Sequence, residues 1–374
     1  MMKLIQGLSV LLLLSGCEHK PLQQASGKKV YIKVIASQSN QGIAYGEQGV
    51  QGLLAAKSLL PLLPNGDEIV FSIHDDHSDV KQTQKNIEAI DENITALLTF
   101  SDSAIQLGIA PLIQKLKIPS LAVIATHDDF IKSSQYMTRL SMSNSIEAKV
   151  SAAYIRDEML MNRVGIIYSK KSIYSQSVAS IFEKKFLALG GEIAINRSIE
   201  SFQDKHEDYQ TLLDISGLDL IFITTDAVLS YKFLSVFKSL DTKVKIFATD
   251  GLLSDMQEHY PDDLDILNGI LNIEHYSHNM HKNAHAQMLK SYFEKKELMI
   301  SSFAGLGYEG YQLLYHALSS CPKYKRECVN DKLRNSKVFE GIVSILQSVD
   351  GNMQRPLYVN EIYNGRMMRK VKVY

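Results

Sequence analysis

Apolar, β-rich runs alternate with helical periodicity from residue 30 to residue 249, which restricts the chain to sheets of parallel strands covered by helices. The predicted first unit runs strand Val30–Ala36, helix Gly49–Leu60 stopped by Pro61, strand Glu68–Ile73, helix Asp79–Ile90, strand Thr95–Phe100, helix Ser103–Leu116 and strand Ser120–Ile124. A second unit repeats the order: helix Ile146–Met159, strand Arg163–Tyr168, helix Ser175–Leu189, strand Glu192–Ile199, helix Tyr209–Ile215, strand Leu218–Thr224, helix Ala227–Leu240 and strand Lys245–Thr249. The expected fold class is therefore α/β, with two doubly wound lobes and a cleft between them. Ligands of open sheets bind outside the carboxyl ends of the strands, so the residues just after each strand are the candidates for a site.

The start of the chain determines where that fold works. Met1-Met2-Lys3, an apolar run from Leu4 and then Leu14-Ser15-Gly16-Cys17 describe an export signal too short to span a bilayer. The ending resembles a bacterial lipobox, which implies cleavage after Gly16 and acylation of Cys17. Residues 1–16 are then signal peptide and residues 17–29 a polar, flexible tether from lipid to fold.

Net charge is −1, which leaves no electrostatic footprint for nucleic acid. With 45% hydrophobic and 22% charged residues the chain can bury two sizeable cores. Besides Cys17 only Cys321 and Cys328 remain, and in an oxidising compartment they close one local disulfide loop. His275, His278, His281 and His285 cluster without a zinc-site spacing and read as a solvated helix start; no metal and no cofactor is expected.

Several strand ends carry chemistry suited to a small ligand. Tyr45-Gly46 sits in the loop after the first strand, where glycine admits close approach and tyrosine offers an apolar wall with a polar tip. Ser101 or Ser103 can cap the following helix or leave its amides for a carboxylate. Ala125 and Thr126 add backbone amides and a second hydroxyl. On the other unit stand Tyr174, Asp226 and Asp250, the two aspartates being either helix caps or ligands for an ammonium. Hydroxyls and amides facing carboxylates match a zwitterion.

At this point the chain resembles the type I periplasmic binding proteins of the leucine/isoleucine/valine-binding family, in lipoprotein form. The resemblance rests on Ala44-Tyr45-Gly46 followed by Gly49 to Ala56, Ser103 to Pro111, Ile118-Pro119 with Ala125-Thr126, and Arg163 to Tyr168 followed by Tyr174. It implies that Ser101 or Ser103 and Thr126 bind a carboxylate, that Tyr45 and Tyr174 are cleft aromatics, and that Asp250 holds the ammonium. Asp250 stands where family members often have glutamate. The resemblance also implies a three-segment hinge, placed at Arg139–Ser143, Ile270–Ile273 and Lys337–Gly341. Lobe 1 is then 30–140 with 272–337, and lobe 2 is 141–271 with 338–374, the last segment turning at Asp350-Gly351 and Asn364-Gly365.

No nucleophile elbow, zinc helix or phosphate loop is present, so catalysis is not expected. The expected function is capture of an amino acid or related small polar ligand for the permease of an ABC transporter, on the outer side of a membrane held through the lipid. Glu18 after the lipobox cysteine points to the outer membrane in a Gram-negative cell. That position suits the alternative, a non-transport envelope lipoprotein acting as a ligand sensor or as a protein-partner regulator such as a peptidoglycan-synthase activator.

Overall fold

A computed structural model describes residues 25–201, 217–279 and 282–374. The signal peptide, Cys17, most of the tether, His281 and the expected helix Tyr209–Ile215 lie outside them. The first half contains β1 (Lys29–Ala36), α1 (Ile43–Leu59), β2 (Glu68–Asp75), α2 (Val80–Glu88), β3 (Ile94–Phe100), α3 (Ser103–Leu116), β4 (Ser120–Ala122), α4 (Asp129–Ser133) and β5 (Met137–Arg139). The middle holds α5 (Asn144–Ala153), β6 (Arg163–Tyr168), α6 (Ile173–Ala188), β7 (Glu192–Ser198), β8 (Leu220–Ile223), α7 (Ala227–Phe237), β9 (Lys245–Ala248), α8 (Leu252–His259) and β10 (Leu271–Glu274). Three helices follow, α9 (Ala284–Glu294), α10 (Ser302–Ser319) and α11 (Arg326–Arg334). The chain then forms β11 (Phe339–Glu340), β12 (Ile345–Val349), β13 (Asn352–Gln354), β14 (Tyr358–Tyr363) and β15 (Arg366–Lys372).

These strands form two sheets, in the orders β11-β12-β13-β5-β4-β3-β1-β2 and β15-β14-β10-β9-β8-β6-β7. Within each, the strands of the doubly wound part run parallel, and antiparallel hairpins extend one side. The interior strand β1, next to the edge strand β2, is buried from Ile32 to Ala36, as a strand covered by helices on both faces must be. In the second lobe Phe182 stacks on Phe222 with ring centroids 4.0 Å apart, joining α6 to the sheet it covers. Among the described residues no helix is long and apolar enough to cross a membrane.

Three local expectations change. Helix α1 begins at Ile43 rather than Gly49, so Tyr45 and Gly46 lie in its first turns and not in a loop. Glycine at 46 serves packing: a Cβ there would sit 1.9 Å from the Ser37 carbonyl oxygen. Ile270–Ile273, expected as a crossing, falls largely within strand β10, which pairs with β9 and β14, and the chain leaves the second sheet only after it. The third crossing lies at residues 355–357 rather than at Lys337–Gly341, because β12 pairs with β13 and Asn352 of β13 pairs with Arg139 of β5. Residues 339–354, assigned from sequence to the second lobe, thus complete the first sheet. Both turn dipeptides fall where they were read: Asp350-Gly351 and Asn364-Gly365 each have two consecutive positive φ values, as tight hairpin turns require.

The crossings are tied together by one buried ion pair. Arg355, on the third crossing, holds Glu309 of α10 at 2.9 Å and donates to the carbonyl of Leu140 on the first crossing at 3.1 Å. Its side chain is 1% exposed and that of Glu309 0%, so each charge has replaced water by the other. Cys321 and Cys328 are joined in a disulfide, Cα–Cα 5.7 Å, between the end of α10 and the first turn of α11.

The interlobe cavity and its candidate ligand site

The parallel strands of both sheets point their carboxyl ends at one cavity of about 250 Å³. Its first-lobe wall carries Tyr45, Asp102, Ser103, Ala125 and Thr126, and its second-lobe wall Tyr174, Asp226, Asp250 and Asp255; Phe303 of α10 closes one side. Of the residues read from sequence, only Ser101 is not on the wall. It is fully buried and donates its hydroxyl at 2.6 Å to Asp76, the residue just past β2. Nor is a serine the cap of α3. Asp102 takes that place, accepting from Ile105 N at 2.9 Å, and burial raises its carboxyl above the ordinary range.

The loop 125–128 is held from behind, through its carbonyl groups. Ser141 Oγ donates to the Ala125 carbonyl at 2.7 Å, Asn144 N to that of Thr126 at 2.9 Å, and Arg139 to those of Thr126 and His127 at 2.9 and 2.8 Å. The N–H groups of Ala125 and Thr126 have no acceptor among the described residues. Two backbone donors at a cavity wall, beside the hydroxyls of Ser103 and Thr126, form a seat for a carboxylate. Arg139 itself is buried, and desolvation brings it down to about 10.

The opposite wall is acidic. Tyr174 donates toward Asp250 Oδ1 at 2.8 Å and also lies 3.2 Å from both carboxylate oxygens of Glu147. Asp250 N donates to Glu147 Oε1 at 2.9 Å, and Gly251 N to Glu274 Oε1 at 2.6 Å. Asp250 is not a helix cap; Gly251 takes that position with φ 77°. Asp226 is a cap, accepting from Leu229 N at 2.9 Å at the cavity rim, and Asp255 accepts from Ala227 N at 2.7 Å. Against the four aspartates of the whole cavity, Asp102 included, stands one lysine, Lys171, so the cavity favours a ligand with a cationic group.

Sequence reading missed Glu147 and Glu274. Both are fully buried, and burial together with the Asp250 charge holds each carboxyl well above the usual range. One local signal existed: Glu147 sits on the buried stripe Asn144, Glu147, Ala148, Ser151, Ala152 of α5, a charge among small residues at helical spacing. The histidine cluster also dissolves. His275 is buried at the end of β10, its Nε2 3.4 Å from the Ser302 carbonyl; His278 accepts from Met367 N; only His285 lies at a helix start, 3.2 Å from the Tyr308 hydroxyl.

Comparison with known proteins agrees with this layout. No curated protein matches the sequence significantly. Among solved structures, a leucine-binding protein, LivK, of Thermotoga maritima is 21% identical, with 92% of this chain and 98% of that one aligned and a TM-score of 0.82. LivJ of Streptococcus pneumoniae, a branched-chain amino acid transporter substrate-binding protein in complex with isoleucine, is 19% identical over 92% and 100%, TM-score 0.81. A solute-binding protein of an ABC transporter from Rhodopseudomonas palustris, in complex with 3,4-dihydroxybenzoic acid, is 15% identical over 92% and 97%, TM-score 0.80. At these identities the likeness establishes the fold. The family model described as periplasmic binding protein matches residues 31–366, nearly the whole described chain. The chain belongs to the periplasmic binding protein family.

Proposed function

We propose that this protein is the extracytoplasmic solute-binding component of an ABC transporter, and that it captures an amino acid or a close relative in the interlobe cavity. The observation that carries this reading is the pairing of the unpartnered Ala125 and Thr126 amides on one wall with Tyr174 and Asp250 on the other. A ligand α-carboxylate takes the first wall and its ammonium the second, so the bound molecule bridges both lobes and favours the closed state. Two supports come from similar structures, whose bound or named ligands are leucine, isoleucine and a benzoic acid. The acidic wall favours the amino acids over the benzoic acids, which carry no cation. Cleavage after Gly16 and acylation of Cys17 would hold the receptor at a membrane surface, with residues 17–29 as tether.

The test is a thermal-shift screen of the domain from Glu18 onward against the standard L-amino acids, benzoate and 4-hydroxybenzoate. A ligand at a hundredfold excess over its dissociation constant stabilises by about 2.7 kcal/mol. Stabilisation by an amino acid that Thr126→Ala and Asp250→Ala each abolish supports the reading. A shift with the benzoates alone, or none in folded and ligand-free protein, overturns it.

A further inference from the structure

The acid pair behind the ammonium position holds too few protons. Glu147, on α5, and Asp250, after β9, are bridged by the hydroxyl of Tyr174 from α6, which has one hydrogen for three carboxylate oxygens within 3.2 Å. Among the described residues the other donor between them is Asp250 N, on Glu147 Oε1. No lysine, arginine or protonated histidine pairs with Glu147 among the described residues. Of the groups facing the pair from other elements, Glu274 on β10 is a third buried carboxylate, and its neighbour His275, 3.5 Å from it, is held neutral by burial and by the nearby Arg355. Among the described residues Arg355 is the buried cation whose charge reaches Asp250, and it is committed to Glu309; Lys171 lines the cavity without pairing to either acid. Two carboxylates in contact inside a protein do not both ionise without a cation between them.

Resting on the function proposed above, we propose that Glu147 and Asp250 share a single proton in the empty cavity, and that the ammonium of an incoming amino acid displaces it. One proton passes to solvent per molecule bound, while the ammonium keeps its own three. The pair goes from a net charge of −1 to −2, and the ligand cation restores the balance. Glu147, which does not line the cavity, thereby sets both the demand for a cationic nitrogen and the pH dependence of capture. Release of one proton makes the dissociation constant fall about tenfold per unit rise in pH, for as long as the empty pair is protonated and the occupied one is not.

Two measurements separate this inference from the function on which it rests. The first needs no ligand: infrared spectra of the empty domain at pH 7 should show a protonated carboxyl C=O stretch that Glu147→Gln and Asp250→Asn each alter and Glu92→Gln, an exposed control on the loop before β3, leaves unchanged. The second is calorimetry with the strongest amino acid from the screen, in phosphate and in Tris. The difference in heat between these buffers should correspond to one proton released in the wild type and none in Glu147→Gln, which should also lose the tenfold slope. A carboxyl signal that neither substitution alters comes from another buried acid such as Glu274, and overturns the shared proton whatever binds. Binding without buffer-dependent heat overturns the displacement. If no amino acid binds, the function fails, and the displacement with it, while the infrared result still decides the shared proton.

Discussion

The contact between α1 and α10 is where one methyl group should matter most. A Cβ added at Gly307 would lie 1.9 Å from the carbonyl oxygen of Gly49 and 2.8 Å from its carbon, both backbone atoms of the facing helix. Nothing flexible can swing away, so the helices must separate by about 1 Å to restore a contact near 3 Å, and overpacking of this kind costs about 1–3 kcal/mol. Because both partners are backbone, the upper figure applies. Replacing a helical glycine by alanine returns about 1 kcal/mol of propensity, which leaves Gly307→Ala destabilised by about 2 kcal/mol. Gly310→Ala, one turn on, is the control: its nearest neighbour is a Val123 methyl at 3.3 Å, so the propensity gain should leave it neutral or up to about 1 kcal/mol more stable. Urea unfolding followed by circular dichroism gives both values. The separation should also disturb the cavity, since α1 carries Tyr45 and α10 carries Phe303, whose rings meet edge to face at 6.0 Å. If Gly307→Ala is as stable as wild type while Gly310→Ala behaves as stated, the close helix contact is not what requires glycine there.

Three further outcomes are expected. Glu309→Gln strips the buried Arg355 of its counter-charge and should cost about 3–5 kcal/mol in urea melts; Glu309→Gln combined with Arg355→Met should recover part of that loss, and no recovery would mean the hinge needs Arg355 for its bond to Leu140. Replacing Cys321 and Cys328 by serine opens a loop with a sequence separation of 7 and should lower stability by about 2.5 kcal/mol on the chain-entropy estimate, read as the difference in unfolding free energy; no change would place the constraint elsewhere. Glu274 is held protonated in the fold by burial and by the Asp250 charge, so the folded state binds a proton that the unfolded chain loses above about pH 4.3. Its contribution is therefore full below that pH and falls as pH rises toward the folded value, by at most about 1.4 kcal/mol per unit. Glu274→Gln keeps the acceptor for Gly251 N and should flatten the decline between pH 5 and pH 8; an unchanged slope would remove Glu274 as its source.

Local order was open to sequence reading because its causes are local. Helical and alternating periodicities placed α3 and β6 at their observed bounds, and Asp-Gly and Asn-Gly placed both hairpin turns. The strand-end rule likewise led to Ser103, Ala125, Thr126, Tyr174 and Asp250, since in an open parallel sheet topology sends every carboxyl end to one side. Ser101 departed from that set, because which of the serines 101 and 103 faces the cavity depends on Asp76, which follows β2 two strands away in the sheet.

What only the tertiary structure decided are the pairings between distant positions. Periodicity reports that β12 and β13 are strands but not which sheet receives them, and the choice was made by hydrogen bonding across 213 positions, from Asn352 to Arg139. Glycines 52 and 307 look like helix weaknesses in isolation and become requirements only when two backbones meet. Glu147 reaches Asp250 over a separation of 103 residues and carries no motif with it. By itself the sequence determined two α/β units and a cleft, because each unit follows from short-range patterning. Proximity of the buried Glu147 and Glu274 to Asp250 is a long-range electrostatic fact, and only folding brings those carboxyl groups together.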